Sequence, residues 1–128
     1  MRVLLDTHAF LWWLDGDRRM SKRARAVVGR AGNEVFVSAA SAWEIATKCR
    51  LGKLAGAVEV AADIAGAVTG QLFLPLSVNL SHAQLAGQLT TTHRDPFDRM
   101  LAAQAMIEAL PIVSNDEALD LFGITRLW

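Results

Sequence analysis

The sequence predicts an α/β fold with a mostly parallel central sheet, and three observations carry that prediction. Short β-type runs alternate with stretches of helical apolar periodicity along the chain. Polar capping residues stand where the apolar runs end, so helices follow strands directly. No internal repeat, low-complexity tract or linker breaks the alternation, so residues 1–128 read as one domain. That length is enough to bury roughly two-thirds of the unfolded surface in a single core.

The elements follow in order. Arg2 to Leu5 is a short strand ending at Asp6, and Thr7 caps a helix through His8 to Leu14. Asp15-Gly16-Asp17 turns the chain, and Ser21 caps a helix to about Arg30 with Ala24, Val27 and Val28 inside. Glu34 to Val37 is the second strand. Ser38 or Ser41 opens the next helix, which carries Trp43, Glu44, Ile45 and Cys49 to Leu51 and closes on Gly52. Val58 to Val68 reads as an Ala-rich helix, Leu72 to Leu76 as a third strand, and Ser81 to Leu89 as a helix capped by Ser81. Asp95-Pro96 is a strong helix start, because the carboxylate caps free N–H groups and Pro96 sits where its missing N–H costs nothing. Asp98 therefore lies in a first turn. Leu110-Pro111 ends that helix, Ile112-Val113 is a buried strand, Glu117 to Phe122 a small helix, and Ile124 to Leu127 an edge strand.

Bulk properties set limits. With 52% hydrophobic and 20% charged residues the chain is too apolar to be disordered, and a formal net charge of zero gives no global basic field. The charges are uneven: Arg18, Arg19, Lys22, Arg23, Arg25 and Arg30 crowd one segment, whereas Asp95, Asp98, Glu108, Asp116, Glu117 and Asp120 weigh the late one. A basic flank beside an acidic pocket suits a metal-dependent enzyme acting on phosphates, although charge alone favours a solvated helix face. The lone Cys49 makes neither a disulfide nor a zinc site, which fits a reducing compartment. The first segment meets Asp6 too early for a signal peptide and no apolar run matches a membrane span, so a cytoplasmic location is expected.

Each acid alone has an ordinary explanation. Asp98 favours a helix dipole, Glu44 stands four residues before Lys48, and Asp116 or Asp6 caps a helix. Together Asp6, Glu44, Asp98 and Asp116 all fall at strand ends or helix starts, which gather at one edge of a parallel sheet. Two bare carboxylates ~5 Å apart repel by roughly 3 kcal/mol at an effective dielectric near 20, so four need protons or a cation. Oxygen ligands select Mg²⁺ or Mn²⁺, and such a site hydrolyses phosphodiesters with a metal-activated water. No Gly-x-Ser-x-Gly or nucleotide-binding Gly-rich loop competes.

Four blocks then carry a resemblance: Val-Leu-Leu-Asp6-Thr-His, Ser-Ala-Ala-Ser-Ala-Trp-Glu44-Ile-Ala-Thr-Lys48, Asp95-Pro-Phe-Asp98-Arg-Met-Leu-Ala-Ala-Gln-Ala, and Ile-Val-Ser-Asn-Asp116. In this order they resemble the PIN-domain family, specifically VapC-type toxin ribonucleases of type II toxin–antitoxin systems. The resemblance implies a PIN-like three-layer α/β/α sandwich, Mg²⁺ or Mn²⁺ at the four acids, and endonucleolytic cleavage of RNA. It also implies a homodimer and a small antitoxin whose tail fills a groove beside the site. Asn115 stands where many relatives carry Thr or Arg, and residues 54–71 match only as generic helix.

Other residues are weighed beside this set. Thr7 is a polar support or a plain cap, Asp95 an N-cap, and Arg99 a phosphate contact or a partner of Asp95. Phe10, Leu11, Trp12, Trp13 and Leu14 put five large apolar residues in one helix, more than one buried face absorbs, so with Trp43 they are expected to leave surface for the antitoxin groove. His8, His82 and His93 show no ligand spacing and are assigned no metal role, His93 being read as a loop residue. Two other classes stay open: an aspartate-based phosphoryl-transfer domain, which Asp6-Thr-His weakens by lacking a second acid, and a non-catalytic metal- or RNA-binding module.

Overall fold

A computed structural model describes residues 1–128. Five strands, β1 (Arg2–Leu5), β2 (Glu34–Ser38), β3 (Leu74–Leu76), β4 (Ile112–Val113) and β5 (Arg126–Leu127), form one sheet in the order β3-β2-β1-β4-β5. Every pairing is parallel, with Leu5 opposite Val37 on one side and Val113 on the other. The central strand is flanked on both sides, which is why Val3, Leu4 and Leu5 form an unbroken apolar run and are fully buried.

Side-chain alternation divides the sheet into two cores. Val3, Leu5, Val35, Val37 and Val113 pack with Phe10, Trp12, Ile45 and Phe73, while Leu4, Phe36 and Ile112 pack with Leu101, Ala105, Leu119 and Phe122. The first face is covered by α1 (Thr7–Asp15), α2 (Lys22–Gly29) and the pair α4 (Val58–Ala62) and α5 (Ile64–Gly70). Helix α7 (Pro96–Glu108) and the 3₁₀ turn Glu117–Phe122 cover the second, with α6 (Leu80–Gln88) packed on α7, and α3 (Ala39–Arg50) contacts both α1 and α7. The result is an α/β/α sandwich.

Several boundaries differ from expectation for local reasons. The first helix is capped by Asp6, whose Oδ1 accepts from Ala9 N at 2.7 Å, and not by Thr7. The Val58–Val68 helix breaks at Asp63, which turns extended and caps α5 by accepting from Gly66 N at 2.9 Å. Strand β3 begins only at Leu74, because Leu72 sits at φ 59° in a turn. Asn79, not Ser81, caps α6 in a reciprocal box with His82, and the Glu117–Phe122 helix is 3₁₀.

The aromatic run of α1 also behaves differently. Phe10, Leu11 and Trp12 are buried to 8% exposure or less, and Trp13 and Leu14 are half-buried against the same core, so the run is taken up mainly by the core, with only the edges of Leu11 and Trp12 lining a surface pocket. The cause is tertiary. The sheet takes one side of α1, while residues from Leu54 to Val68 and Trp128 pack round the other, with Trp12 and Trp128 rings 5.8 Å apart and Trp13 donating to Gln71 Oε1 at 2.9 Å. Trp43, on α3, does remain 63% exposed.

Candidate functional site

Parallel strands deliver their C-terminal ends to one edge, and here β1, β2 and β4 each carry a polar residue at or just past that end. Asp6 follows β1, Ser38 ends β2 and caps α3 so that Ser41 and Glu44 face inward from its first turns, and Ser114-Asn115-Asp116 follows β4. Asp95 caps α7, accepting from the Phe97 and Asp98 N–H groups at 2.9 and 3.1 Å, and this fixes Asp98 in the first turn. The structure brings Asp6, Glu44, Asp98 and Asp116 to one crevice of about 640 Å³, together with Thr7, Lys48, Asp95 and Asn115.

The crevice has two unlike halves. On one side Thr7 Oγ1 donates to Glu44 Oε1 at 2.6 Å, lies 2.9 Å from Ser41 Oγ, and is buried with both partners. The other oxygen of Glu44 pairs with the Lys48 ammonium four residues on. Burial opposes the charge of Lys48, yet the hydrogen bond and charge of Glu44 hold it above the usual amine range. This half is neutralised by the chain itself.

On the other side the acids have fewer partners. Burial pushes the Asp6 carboxyl up to about 6, against hydrogen bonds from Ser114 and the Ala9 N–H that favour its charged form. Burial also raises Asp98, helped by the charges of Asp95 and Asp116 and opposed by a hydrogen bond to His93. His93 Nε2 lies 2.8 Å from Asp98 Oδ2, and its ring meets Phe122 edge-on at 5.6 Å. One atom each from His93, Asp98 and Asp116 lie within 4.8 Å of one another, a grouping able to hold a metal ion. Carboxyls desolvated without a lysine or arginine bonded to them, joined by oxygen and one imidazole donor, suit a small divalent ion. The set fits.

Four residues take places the sequence did not indicate. His93 is no bystander in a loop but touches Asp98. The Arg99 side chain does not pair with the Asp95 carboxylate; its guanidinium donates to the carbonyls of Ala86, Leu89, Thr91 and His93, the Ala86 and His93 contacts at 3.0 Å. Those carbonyls end α6 and line the bend before α7, where backbone acceptors would otherwise be unpaired. Ser114, fully buried, bonds Asp6 and accepts the Asp116 N–H at 3.0 Å, and a polar residue closing a buried strand was its only signal. Gln104, also fully buried, accepts from Ser38 Oγ at 2.6 Å and donates to the Ser77 carbonyl at 3.2 Å. Of the basic segment, Arg19 reaches the crevice, lying over the Trp12 ring at 4.8 Å.

The PIN domain family model matches residues 3–123. Among solved structures, the chain is similar to VapBC2 from Rickettsia felis bound to a DNA fragment from their promoter, at 14% identity and TM-score 0.71 over 98% of this chain and 97% of that one. It is also similar to VapBC-1 from nontypeable Haemophilus influenzae (12% identity, TM-score 0.67, 98% and 96% covered). A third is FitAcB from Neisseria gonorrhoeae (17% identity, TM-score 0.58, 98% and 96% covered). No curated protein matches the chain significantly.

Proposed function

The chain belongs to the PIN domain family, and from that premise we propose that it is a Mg²⁺- or Mn²⁺-dependent endoribonuclease serving as the toxin of a toxin–antitoxin pair. The observation that carries this reading is the shared crevice of Asp6, Glu44, Asp98 and Asp116, where burial makes two of the acids costly to ionise without a cation. These four would hold the ion. When bound, the ion supplies acidity to water and positive charge for the phosphoryl oxygens.

The chain's own residues do the rest. Thr7 and Ser41 fix the rotamer of Glu44, and Ser114 fixes Asp6 while tying the backbone of Asp116 to the same point. Asn115 at the exposed rim offers an amide to RNA, and Arg19 on the opposite wall offers a cation for phosphate. The partners that follow are RNA, a cognate small antitoxin and a second copy of the chain, in the cytoplasm.

An apolar groove of about 490 Å³ lies beside the crevice, walled by Trp43 and Ala40 of α3, Phe97 and Met100 of α7, and Val78 and Ala83. It is the seat for the antitoxin's apolar segment, in place of the α1 aromatics. No helix of the chain is long and apolar enough to cross a membrane.

Purified chain incubated with a pool of structured and single-stranded RNA tests the assignment. Cleavage should require Mg²⁺ or Mn²⁺, stop with EDTA, and disappear in a folded Asp98→Asn variant, which should also lift growth arrest on expression. Unaltered cutting by Asp98→Asn would sink it. Metal binding with no RNA cleaved would favour a binding module instead.

A further inference from the structure

We propose that His93 supplies a nitrogen ligand to the divalent ion held by Asp98 and Asp116, and that this makes the centre prefer Mn²⁺ to Mg²⁺. The inference rests on the metal site argued above and adds a residue to it. Its first support is distance. One atom of each of the three side chains lies within 4.8 Å of the others, whereas ligands around one six-coordinate ion stand about 3 to 4.3 Å apart at metal–ligand lengths near 2.1 Å. A small side-chain movement closes that difference.

The second support is how His93 is held. Its carbonyl accepts from Arg99 Nη1 at 3.0 Å, the same guanidinium secures the bend from Ala86 to Thr91, and the imidazole packs edge-on against Phe122 at 5.6 Å. The side chain is 20% exposed, about the same as Asp98 at 21%. A loop histidine with no task has no need of a half-buried arginine beneath it and an aromatic wall beside it.

The third support is chemical. Nε2 faces Asp98 at 2.8 Å, and the same lone pair that can accept or share a proton there can turn onto an ion, leaving the ring proton on Nδ1. Mg²⁺ demands hard oxygen ligands, while imidazole suits first-row transition ions, so one nitrogen among oxygens shifts preference toward Mn²⁺. The Glu44 half of the crevice contains no such donor among its paired groups, since Thr7, Ser41 and Lys48 occupy it. His8 also lines the crevice but lies outside the close grouping.

Pulsed EPR on Mn²⁺ bound to the whole, unmutated chain reads coordination directly. Nitrogen modulation from a bound imidazole should be present, persist in His8→Gln and vanish in His93→Gln. Calorimetry should show His93→Gln weakening Mn²⁺ by roughly 10-fold while Mg²⁺ changes less than about threefold, with an unchanged thermal midpoint confirming the fold. Mn²⁺ bound without nitrogen modulation, or equal weakening of both ions, would overturn the inference and leave the metal site standing. Failure of Mn²⁺ to bind the unmutated chain would overturn both. A nitrogen-ligated ion in a chain that cuts no RNA would keep this inference and remove the nuclease reading.

Discussion

The two halves of the crevice hold similar acids in opposite ways. Glu44 is satisfied from within, by Thr7 on one oxygen and Lys48 on the other, so its charge is already balanced when the chain folds. Asp6, Asp98 and Asp116 are placed by caps and strand ends but have no lysine or arginine side chain bonded to them. The difference teaches where a cation has something to gain: one half is a finished scaffold, and the other is an electrostatic debt carried by the folded state. Each half can be perturbed separately.

The largest effect should come from the unbalanced half. Asp98→Asn and Asp116→Asn should each lower metal-dependent RNA cleavage by about 10³-fold, and the double variant should be hardly worse, because both remove one shared ion. Single-turnover rates check this, and losses that multiply would separate the two acids. Next comes the penalty for ionising Asp6. Its folded pKa is raised, so the folded state binds the proton more tightly than the unfolded chain; its contribution is fully present below the ordinary carboxylate range and is lost as pH rises through about 6. Metal-free protein should therefore lose about 2 kcal/mol of unfolding free energy between pH 4 and pH 7.5 relative to Asp6→Asn, measured by urea denaturation in EDTA. Divalent metal should cancel most of that loss.

Perturbing the balanced half should act on stability first. Thr7→Val leaves a buried Glu44 oxygen short of a donor and should cost about 1–3 kcal/mol in chemical denaturation, with cleavage reduced far less than in Asp98→Asn. The smallest stability change belongs to Trp43→Ser, within about 1 kcal/mol, since that ring is largely exposed and packs mainly on Phe97. Its effect should fall on antitoxin affinity, read by calorimetry. A variant that binds antitoxin normally yet loses its dimer would reassign the groove to self-association.

Much of the fold was legible in the residues because strand and helix signals agree locally here. Val3-Leu4-Leu5 before Asp6, and Ile112-Val113 before Ser114, mark buried parallel strands and their polar ends at once. The acids could be placed at one edge for the same reason. What stayed hidden depends on distant contacts. His93 lies five residues before Asp98 across a bend, and nothing in that spacing reveals the bend until Arg99 is seen gathering its carbonyls. Arg99 itself resembles a surface partner of Asp95 in sequence. The aromatics of α1 were misjudged because Val58 to Val68 read only as an Ala-rich helix, whereas Asp63 splits that stretch into two short pieces that pack over α1.

Gln104 gives α3 and α7 a common bolt, anchored at the cap of one helix and mid-length in the other. The same two helices wall both the acidic crevice and the apolar groove, and a relay of Trp43, Phe97, Lys48 and Glu44 crosses from one to the other, with ring centroids 4.9 Å apart and Lys48 Nζ 5.8 Å from the Phe97 centroid. A guest wedged against Trp43 thus leans on the lysine that steadies Glu44. By linkage, whatever such a guest does to ion affinity, the ion must return in equal measure to the guest.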